Sequence, residues 1–366
     1  MSNSALWHAL GVSPSHGPAV RDRLRSCFCG SEAAPDAPLL VHIISSGLPE
    51  TISISNAELW TVYIPLLLWF KMRATACTRR RCLIGIAGPA GSGKTTLAAL
   101  AEVMMNAMVD ADFPRTAKIE MDGYHLTNVE LDELGLRRRK GVIETICGTA
   151  LAGDLARLNL GERASADLAL ADAAPHVGPL RTRPNWSIFD SDDGALWFPD
   201  YDRLGTHDPR LRARRVSPDV RLVIVEGLFI ARGDGGGGAL PLGPDADAWA
   251  RVRACLDEVV MISAPLSLCR ARCLARRART LLPAEGEPYD ALLVAVTDHY
   301  RRNDAPSWHD INADASRSTL RLKIPLAPSF ESAEAEAGDA LDVPWHVALE
   351  ALKATAHNPF EGLTVD

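Results

Sequence analysis

Short, nearly continuous apolar runs recur along the chain. They stand at Leu83-Ile84-Gly85-Ile86-Ala87, Val220-Arg221-Leu222-Val223-Ile224-Val225, Glu258-Val259-Val260-Met261-Ile262 and Leu320-Arg321-Leu322-Lys323-Ile324, with a poorer run at Ala117-Lys118-Ile119-Glu120-Met121. Runs this short, apolar on successive positions, suit strands buried on both faces. Helical stretches lie between them, at residues 95–109, 148–158, 266–281 and 290–302. Alternation of this kind predicts an α/β fold: a mostly parallel five-stranded sheet with helices on both faces.

Ahead of this body, Leu39–Ile44 and Thr51–Ile54 read as two further strands. The run Leu59–Phe70 (LWTVYIPLLLWF) follows. It is too short to span a bilayer and contains Pro65, so a buried helix is expected, and no membrane partner. Ser55 and Glu58 have the S-x-x-E spacing of a capping box just before it. The organisation expected is an N-terminal extension over 1–76, a loosely ordered lead (1–36) followed by a strand–strand–helix element. A main domain over 77–326 follows, with an insertion at about 160–197 and a glycine-containing loop at 232–248, and then a tail over 327–366 with a helix near 347–356. The extension either packs on the body or forms a separate regulatory module.

Composition narrows the choice. The chain has 366 residues, 47% hydrophobic and 23% charged, with a formal net charge of −7. This balance lacks the basic footprint of a nucleic-acid binder, so no nucleic-acid partner is expected. Anionic ligands must then be held by local positive clusters. The opening MSNSALWHALGVS has no basic region leading into a long apolar run, and a cytoplasmic chain with ordinary reduced thiols is expected for its eight cysteines.

The chemistry is concentrated after the first body strand. Gly88-Pro89-Ala90-Gly91-Ser92-Gly93-Lys94-Thr95 fits G-x-x-x-x-G-K-[ST], with Thr96 next on the helix it opens. Glycines let the backbone curl around a phosphate chain, so that its N–H groups form an anion nest at a helix N-terminus. Lys94 adds a point charge for the β- and γ-phosphates, and the Thr95 hydroxyl is placed for Mg²⁺. Chance alone puts the four fixed positions in roughly one chain of this length per hundred. The strand before and the Ala/Leu-rich helix after make a phosphate cradle the stronger reading.

Four further places carry candidate chemistry. Asp122, in Met121-Asp122-Gly123-Tyr124-His125-Leu126, follows the second body strand. It is either a base for an attacking hydroxyl or part of a simple Asp-Gly turn. In Arg137-Arg138-Arg139-Lys140, the first two read as a solvated face, while Arg139 and Lys140 are candidates to hold an anionic substrate. Glu226 closes the third strand, as a second Mg²⁺ contact or as a charge at a strand end. Arg272 and Arg276 share one face of the helix at about 266–281, which forms either a lid over the phosphates or a solvent-facing surface.

Taken in order, GPAGSGKTT, MDGYHLTN, GLRRRKG-x-x-ET and VIVEG resemble the P-loop kinase superfamily of phosphoribulokinase, uridine kinase and bacterial pantothenate kinase, most of all the uridine-kinase-like proteins. Phe198–Arg203, His207-Asp208-Pro209, Trp249 with Leu256-Asp257, Ala264-Pro265-Leu266, Cys269-Arg270 and Arg302-Asn303-Asp304 add to the likeness, which covers about residues 80–310. The resemblance implies ATP and Mg²⁺ on Lys94 and Thr95, and Asp122 as the base. It also implies Tyr124, His125, Arg139 and Lys140 around a small-molecule hydroxyl acceptor, and Arg272 and Arg276 in a lid. Two departures stand out: Thr145-Ile146-Cys147 where that group has T-F-D, and Glu226-Gly227-Leu228-Phe229 where it has E-G-N-Y. Two activities are compatible with these residues: phosphoryl transfer to a small metabolite, or a P-loop ATPase or nucleotide sensor acting on a protein partner.

Overall fold

The computed structural model describes residues 5–29, 34–45, 47–160, 195–199, 213–232, 246–280, 289–312, 319–324 and 364–365. Most of the expected insertion, the glycine run at 235–238 and the expected helix near 347–356 lie outside them. The strands are β1 (Leu39–Ser45), β2 (Leu48–Ile54), β3 (Cys82–Ala87), β4 (Thr116–Glu120), β5 (Leu196–Pro199), β6 (Ala213–Val216), β7 (Leu222–Gly227), β8 (Glu258–Ser263), β9 (Leu320–Lys323) and β10 (Thr364–Val365).

The main sheet runs β10-β9-β8-β3-β7-β4. Its five strands β4, β7, β3, β8 and β9 are parallel, and β10 pairs antiparallel on β9 at one edge. Every residue of β3 and β7 is buried, as near-continuous apolar runs require when both faces are covered. Successive residues feed opposite cores. Ile84, Ile224 and Ile262 join Leu97, Leu100 and Met104 of the helix Lys94–Asn106 on one face. Leu83, Val223 and Met261 join Leu155 of the helix Gly148–Leu160, Trp249 of the helix Ala246–Cys255 and Trp308 of the helix Ala305–Asn312 on the other. This is the five-stranded parallel α/β arrangement expected from the apolar runs. The antiparallel ribbon of β5 and β6 is an addition that periodicity did not indicate.

The lead over 1–36 is corrected by the structure. It contains the helices Ala5–Ala9 and Gly17–Phe28, not a loosely ordered stretch. Leu6, Trp7, Leu10, Val20 and Leu24 are buried in the same core that holds Ile84 and Leu100. Trp7 packs against Trp60 as a tilted pair, ring centres 5.2 Å apart, and its Nε1 donates to the Trp60 carbonyl at 3.1 Å. Gly17 fits beneath because a Cβ there would meet the Trp60 ring at 2.7 Å.

The S-x-x-E capping box forms: Ser55 Oγ accepts from the Glu58 amide, and the Glu58 carboxylate accepts from the Ser55 amide. A wide helical turn over Leu59–Tyr63 runs on into the helix Ile64–Ala76; Pro65 brings no amide there, and the Trp60 carbonyl accepts from Trp7 Nε1. The buried Lys118 on β4 donates to the Ile44 carbonyl at 3.1 Å and to Glu120 Oε1, fastening the β1–β2 hairpin to the body.

Because this core is shared, truncating the extension's side of it is expected to unfold the whole. Phe70 is fully buried in it, so Phe70→Ala should cost about 3–5 kcal/mol in urea unfolding, in one cooperative transition. A separate early transition would instead show the extension to be an independent module.

Candidate active site

The site lies at the carboxyl ends of β3, β7 and β4. In open α/β sheets this is where ligands bind, at the point where connections depart in opposite directions. β3 sits between β7 and β8, and Gly88–Thr95 leaves its end.

The glycines are required by space as well as by conformation. Gly91 has φ +85° and Gly93 φ +92°, the left-handed region. A Cβ on Gly91 would stand 2.2 Å from the Cys269 carbonyl oxygen. The loop is therefore pressed against the helix Leu266–Thr280. Arg272 Nη1 donates to the Gly91 carbonyl at 3.5 Å, and the Tyr300 hydroxyl donates to the Ala90 carbonyl at 2.9 Å. These contacts turn loop carbonyls outward onto protein donors.

A cleft of about 170 Å³ opens beside the loop. Ala90, Gly91, Lys94 and Thr95 line it from the cradle, Asp122 and His125 from the turn after β4, Lys140 from the basic run and Arg276 from the helix Leu266–Thr280. The structure thus brings these expected residues together. The remaining walls are Met121, Gly141, Ile146, Leu228, Phe229, His299 and Asp304.

Other expected residues are placed elsewhere. Gly88, Pro89, Ser92, Gly93 and Thr96 shape the loop and the first helical turn but do not line the cleft. Tyr124 is fully buried, and its hydroxyl donates to Asp154 Oδ2 at 2.8 Å. Arg139 is exposed and pairs with Glu144 at 3.5 Å. Arg272 sits behind the loop, and burial lowers its pKa.

Thr95 Oγ1 donates to Glu226 Oε1 at 3.1 Å. Glu226 is buried, and burial pushes its carboxyl up to about 7. The Lys94 ammonium works against that rise, while Glu120 and Asp122 add to it. Glu226 Oε2 and Ser92 Oγ are buried without hydrogen-bond partners among the described residues. A hydroxyl and a carboxylate side by side, one oxygen orphaned, are the hard oxygen donors that suit Mg²⁺. The glycine loop, curled at positive φ with Lys94 beside it, suits phosphate oxygens.

Around Asp122 the chain forms a tight turn, Met121–Tyr124. The His125 amide donates to the Asp122 carbonyl at 3.2 Å, and His125 Nδ1 lies 2.9 Å from the same oxygen. The turn leaves the Asp122 carboxylate partly exposed to the cleft. Lys140 Nζ donates to Asn128 Oδ1 at 3.2 Å. Gly141, at φ +106°, turns the chain there, and its amide donates to Thr145 Oγ1 at 2.9 Å.

Asp304 is the residue that sequence reasoning assigned no role. Arg302-Asn303-Asp304 adds to the family likeness, but nothing local in it says that a wide turn over Tyr300–Asp304 brings the carboxylate back to the cradle. Burial pushes the Asp304 carboxyl up to about 7, Asp122 adds to the rise, and Lys94 and Arg276 oppose it.

No protein-family model matches the chain. Over 284 residues, 78% of this chain and 95% of the relative, it is 27% identical to a protein of Escherichia coli K12 called Uncharacterized protein YggC. Over 81 residues, 22% of this chain and 24% of the relative, it is 36% identical to the pantothenate kinase of Leifsonia xyli subsp. xyli. Among solved structures, the D-glycerate 3-kinase of Cryptococcus neoformans var. grubii is 15% identical, with a TM-score of 0.44, over 70% of this chain and 92% of that one. The sheet order and the glycine loop that leaves β3 define the fold class: this is a P-loop α/β fold. Of these relatives, YggC is similar to the chain over nearly its own full length.

Two outcomes follow. Gly91→Ala forces a Cβ into the Cys269 carbonyl at a positive φ and should abolish the rise in melting temperature caused by Mg-ATP. A retained rise would mean that the cradle tolerates the added methyl group. The raised Asp304 carboxyl holds a proton in the folded state that the unfolded chain has released above about pH 4. The contribution of this group to ligand-free stability should therefore fall as pH rises from about 4 to about 7. Asp304→Asn should remove that part of the slope in a melting series. An unchanged slope would show that Asp304 is not the source.

Proposed function

We propose that the chain is an ATP-dependent kinase that moves the γ-phosphoryl group onto a hydroxyl of a small metabolite. The observation that carries this reading is the convergence of Lys94, Thr95 and Asp122 on one small cleft. A nucleotide-binding loop needs only the first two. A carboxylate facing the same space supplies what transfer to a hydroxyl requires, a group to take the proton.

Each residue then has a task. The loop amides and Lys94 bind the phosphate chain and hold the γ-phosphorus in line. Thr95 and Glu226 would hold Mg²⁺, which when bound neutralises charge on the β- and γ-phosphates. Asp122 orients the acceptor hydroxyl and takes its proton as the new O–P bond forms and the bond to the departing ADP breaks. Arg276, beside the cleft on the helix packed against the loop, balances negative charge. Leu228 and Phe229 are buried apolar walls that exclude water from the transferring group. The acceptor is a small polar molecule, in keeping with about 170 Å³ and a lining that includes His125, Lys140 and His299. Nucleoside-, sugar- and pantothenate-like hydroxyls are the classes to try, with uridine-kinase-like specificity as one case among them.

The test is ADP release from Mg-ATP over a panel of such acceptors. At least one should raise turnover well above the rate without acceptor. Lys94→Ala should abolish that turnover and weaken ATP binding. Asp122→Asn should keep the thermal stabilisation by Mg-ATP and slow transfer by about 10²–10⁴-fold. Undiminished transfer in the Asp122 variant would remove the proposed base. A panel without response, alongside ATP hydrolysis stimulated by a protein partner, would replace the kinase reading.

A further inference from the structure

At the end of the sheet opposite the cleft, two thiols and a carboxylate meet. Cys77 follows the helix Ile64–Ala76 of the extension, Cys82 opens β3, and Asp257 stands just ahead of β8. The two Sγ atoms and a carboxylate oxygen all lie within 4.8 Å of one another, the one such group of potential metal ligands among the described residues. Cys77 Sγ is 3.9 Å from Asp257 Oδ2. Backbone bonds fix all three residues. The Cys77 amide donates to the Arg73 carbonyl at 3.0 Å, and the Cys82 amide to the Arg221 carbonyl at 2.9 Å. The Leu83 amide donates to Asp257 Oδ2 at 2.8 Å, while the Asp257 amide donates back to the Leu83 carbonyl at 2.8 Å.

This donor set suits a thiophilic divalent cation. Thiolate sulfur selects Zn²⁺, whereas Mg²⁺ prefers oxygen alone. A tetrahedral zinc site, with metal–sulfur bonds of about 2.3 Å, sets its ligand atoms about 3.5–3.8 Å apart, so a small inward turn of the side chains closes the gap. Cys82 is buried, while Cys77 and Asp257 are partly exposed. That exposure gives an ion a way in and leaves room for water as a fourth ligand. Arg79 Nη1 lies 3.5 Å from Asp257 Oδ1. Two thiolates and the carboxylate would then be matched in charge by the zinc ion and Arg79. The Leu83 amide on Asp257 Oδ2 is the kind of outer hydrogen bond that orients a ligating carboxylate. Without an ion, the Cys77 thiol meets only distant acceptors, the Arg81 carbonyl at 3.7 Å and that same carboxylate.

We propose that Cys77, Cys82 and Asp257 form a structural zinc site, completed by water. Binding releases the two thiol protons to solvent and forms two zinc–thiolate bonds and one zinc–carboxylate bond, with no change of oxidation state. The ion ties the end of the helix Ile64–Ala76 to the starts of β3 and β8, and so fastens the extension to the main sheet. It sits at the amino ends of the strands and takes no part in chemistry at their carboxyl ends. A disulfide between Cys77 and Cys82 is the competing use of the same thiols. It gives Asp257 no role, and the carboxylate in the cluster is what favours a metal.

The experiment uses the full chain, reduced, stripped with a chelator and free of nucleotide, with Co²⁺ and then Zn²⁺ as probes. Co²⁺ should bind in a single equivalent and give the visible bands of a tetrahedral site together with a sulfur-to-cobalt charge-transfer band. Zn²⁺ should displace it and raise the melting temperature, and excess Mg²⁺ should do neither. Outer-shell changes at metal sites cost about 10–100-fold in affinity, so loss of a ligand in Cys77→Ser should weaken Zn²⁺ binding by at least about a hundredfold and diminish the charge-transfer band. Asp257→Asn keeps a carbonyl oxygen for the Leu83 amide and should weaken binding by at least about tenfold; it carries the test if Cys77→Ser does not fold. Cys27→Ser, at an exposed thiol outside the cluster, should bind as the wild type does. A wild type without the charge-transfer band overturns the proposal before any variant is made. So does binding that survives both Cys77→Ser and Asp257→Asn, or that is lost in Cys27→Ser. A reduced protein that takes up no Co²⁺ but closes a Cys77–Cys82 disulfide with oxidised glutathione overturns it in favour of the redox pair.

Discussion

One constraint governs the molecule: a stretch of backbone must curl so that its amides face inward, and something must take its carbonyls. Glycines at φ +85° and +92° permit the curl. The carbonyls of Ala90 and Gly91 are then met by Tyr300 and Arg272, two side chains from different helical segments far along the chain. The cradle is thus held as well as curved. Gly91 lies so close to the Cys269 carbonyl that the helix Leu266–Thr280 and the loop form one packed unit. Everything else in the site is positioned against that unit.

The electrostatics of the cleft follow from it. Asp122, Glu226 and Asp304 all act on one another or on Lys94, and burial raises the last two of them toward neutrality. Lys94 and Arg276 work against that rise, but burial and the neighbouring carboxylates outweigh them. A cation beside Thr95 and the orphaned Glu226 oxygen would offset part of that burden. The cleft is therefore better suited to its proposed ligands than to being empty, at some expense to the stability of the ligand-free fold.

What the sequence makes legible is what depends on local pattern. The parallel strands show because runs such as Leu222–Val225 are apolar on both faces, and the cradle shows because its glycines and Lys94 are contiguous. The capping box at Ser55 is equally local. Tertiary partners are another matter. Trp7 is core only because Trp60 lies over it, so the lead reads as loose until that contact is seen. Tyr124 sits in a motif beside Asp122, yet its hydroxyl goes to Asp154, thirty residues on. Phe229 and Asp304 reach the cleft from segments whose composition gives no hint of it. The cleft is read least well because its walls come from several connections far apart in the chain.

The phosphoryl group's destination is the most direct test. The intact protein, incubated with Mg²⁺, ATP radiolabelled at the γ-position and a deproteinised metabolite extract, should pass label into an acid-stable small molecule at a rate that depends on the extract. Label found only as inorganic phosphate, at a rate indifferent to the extract, would contradict the account.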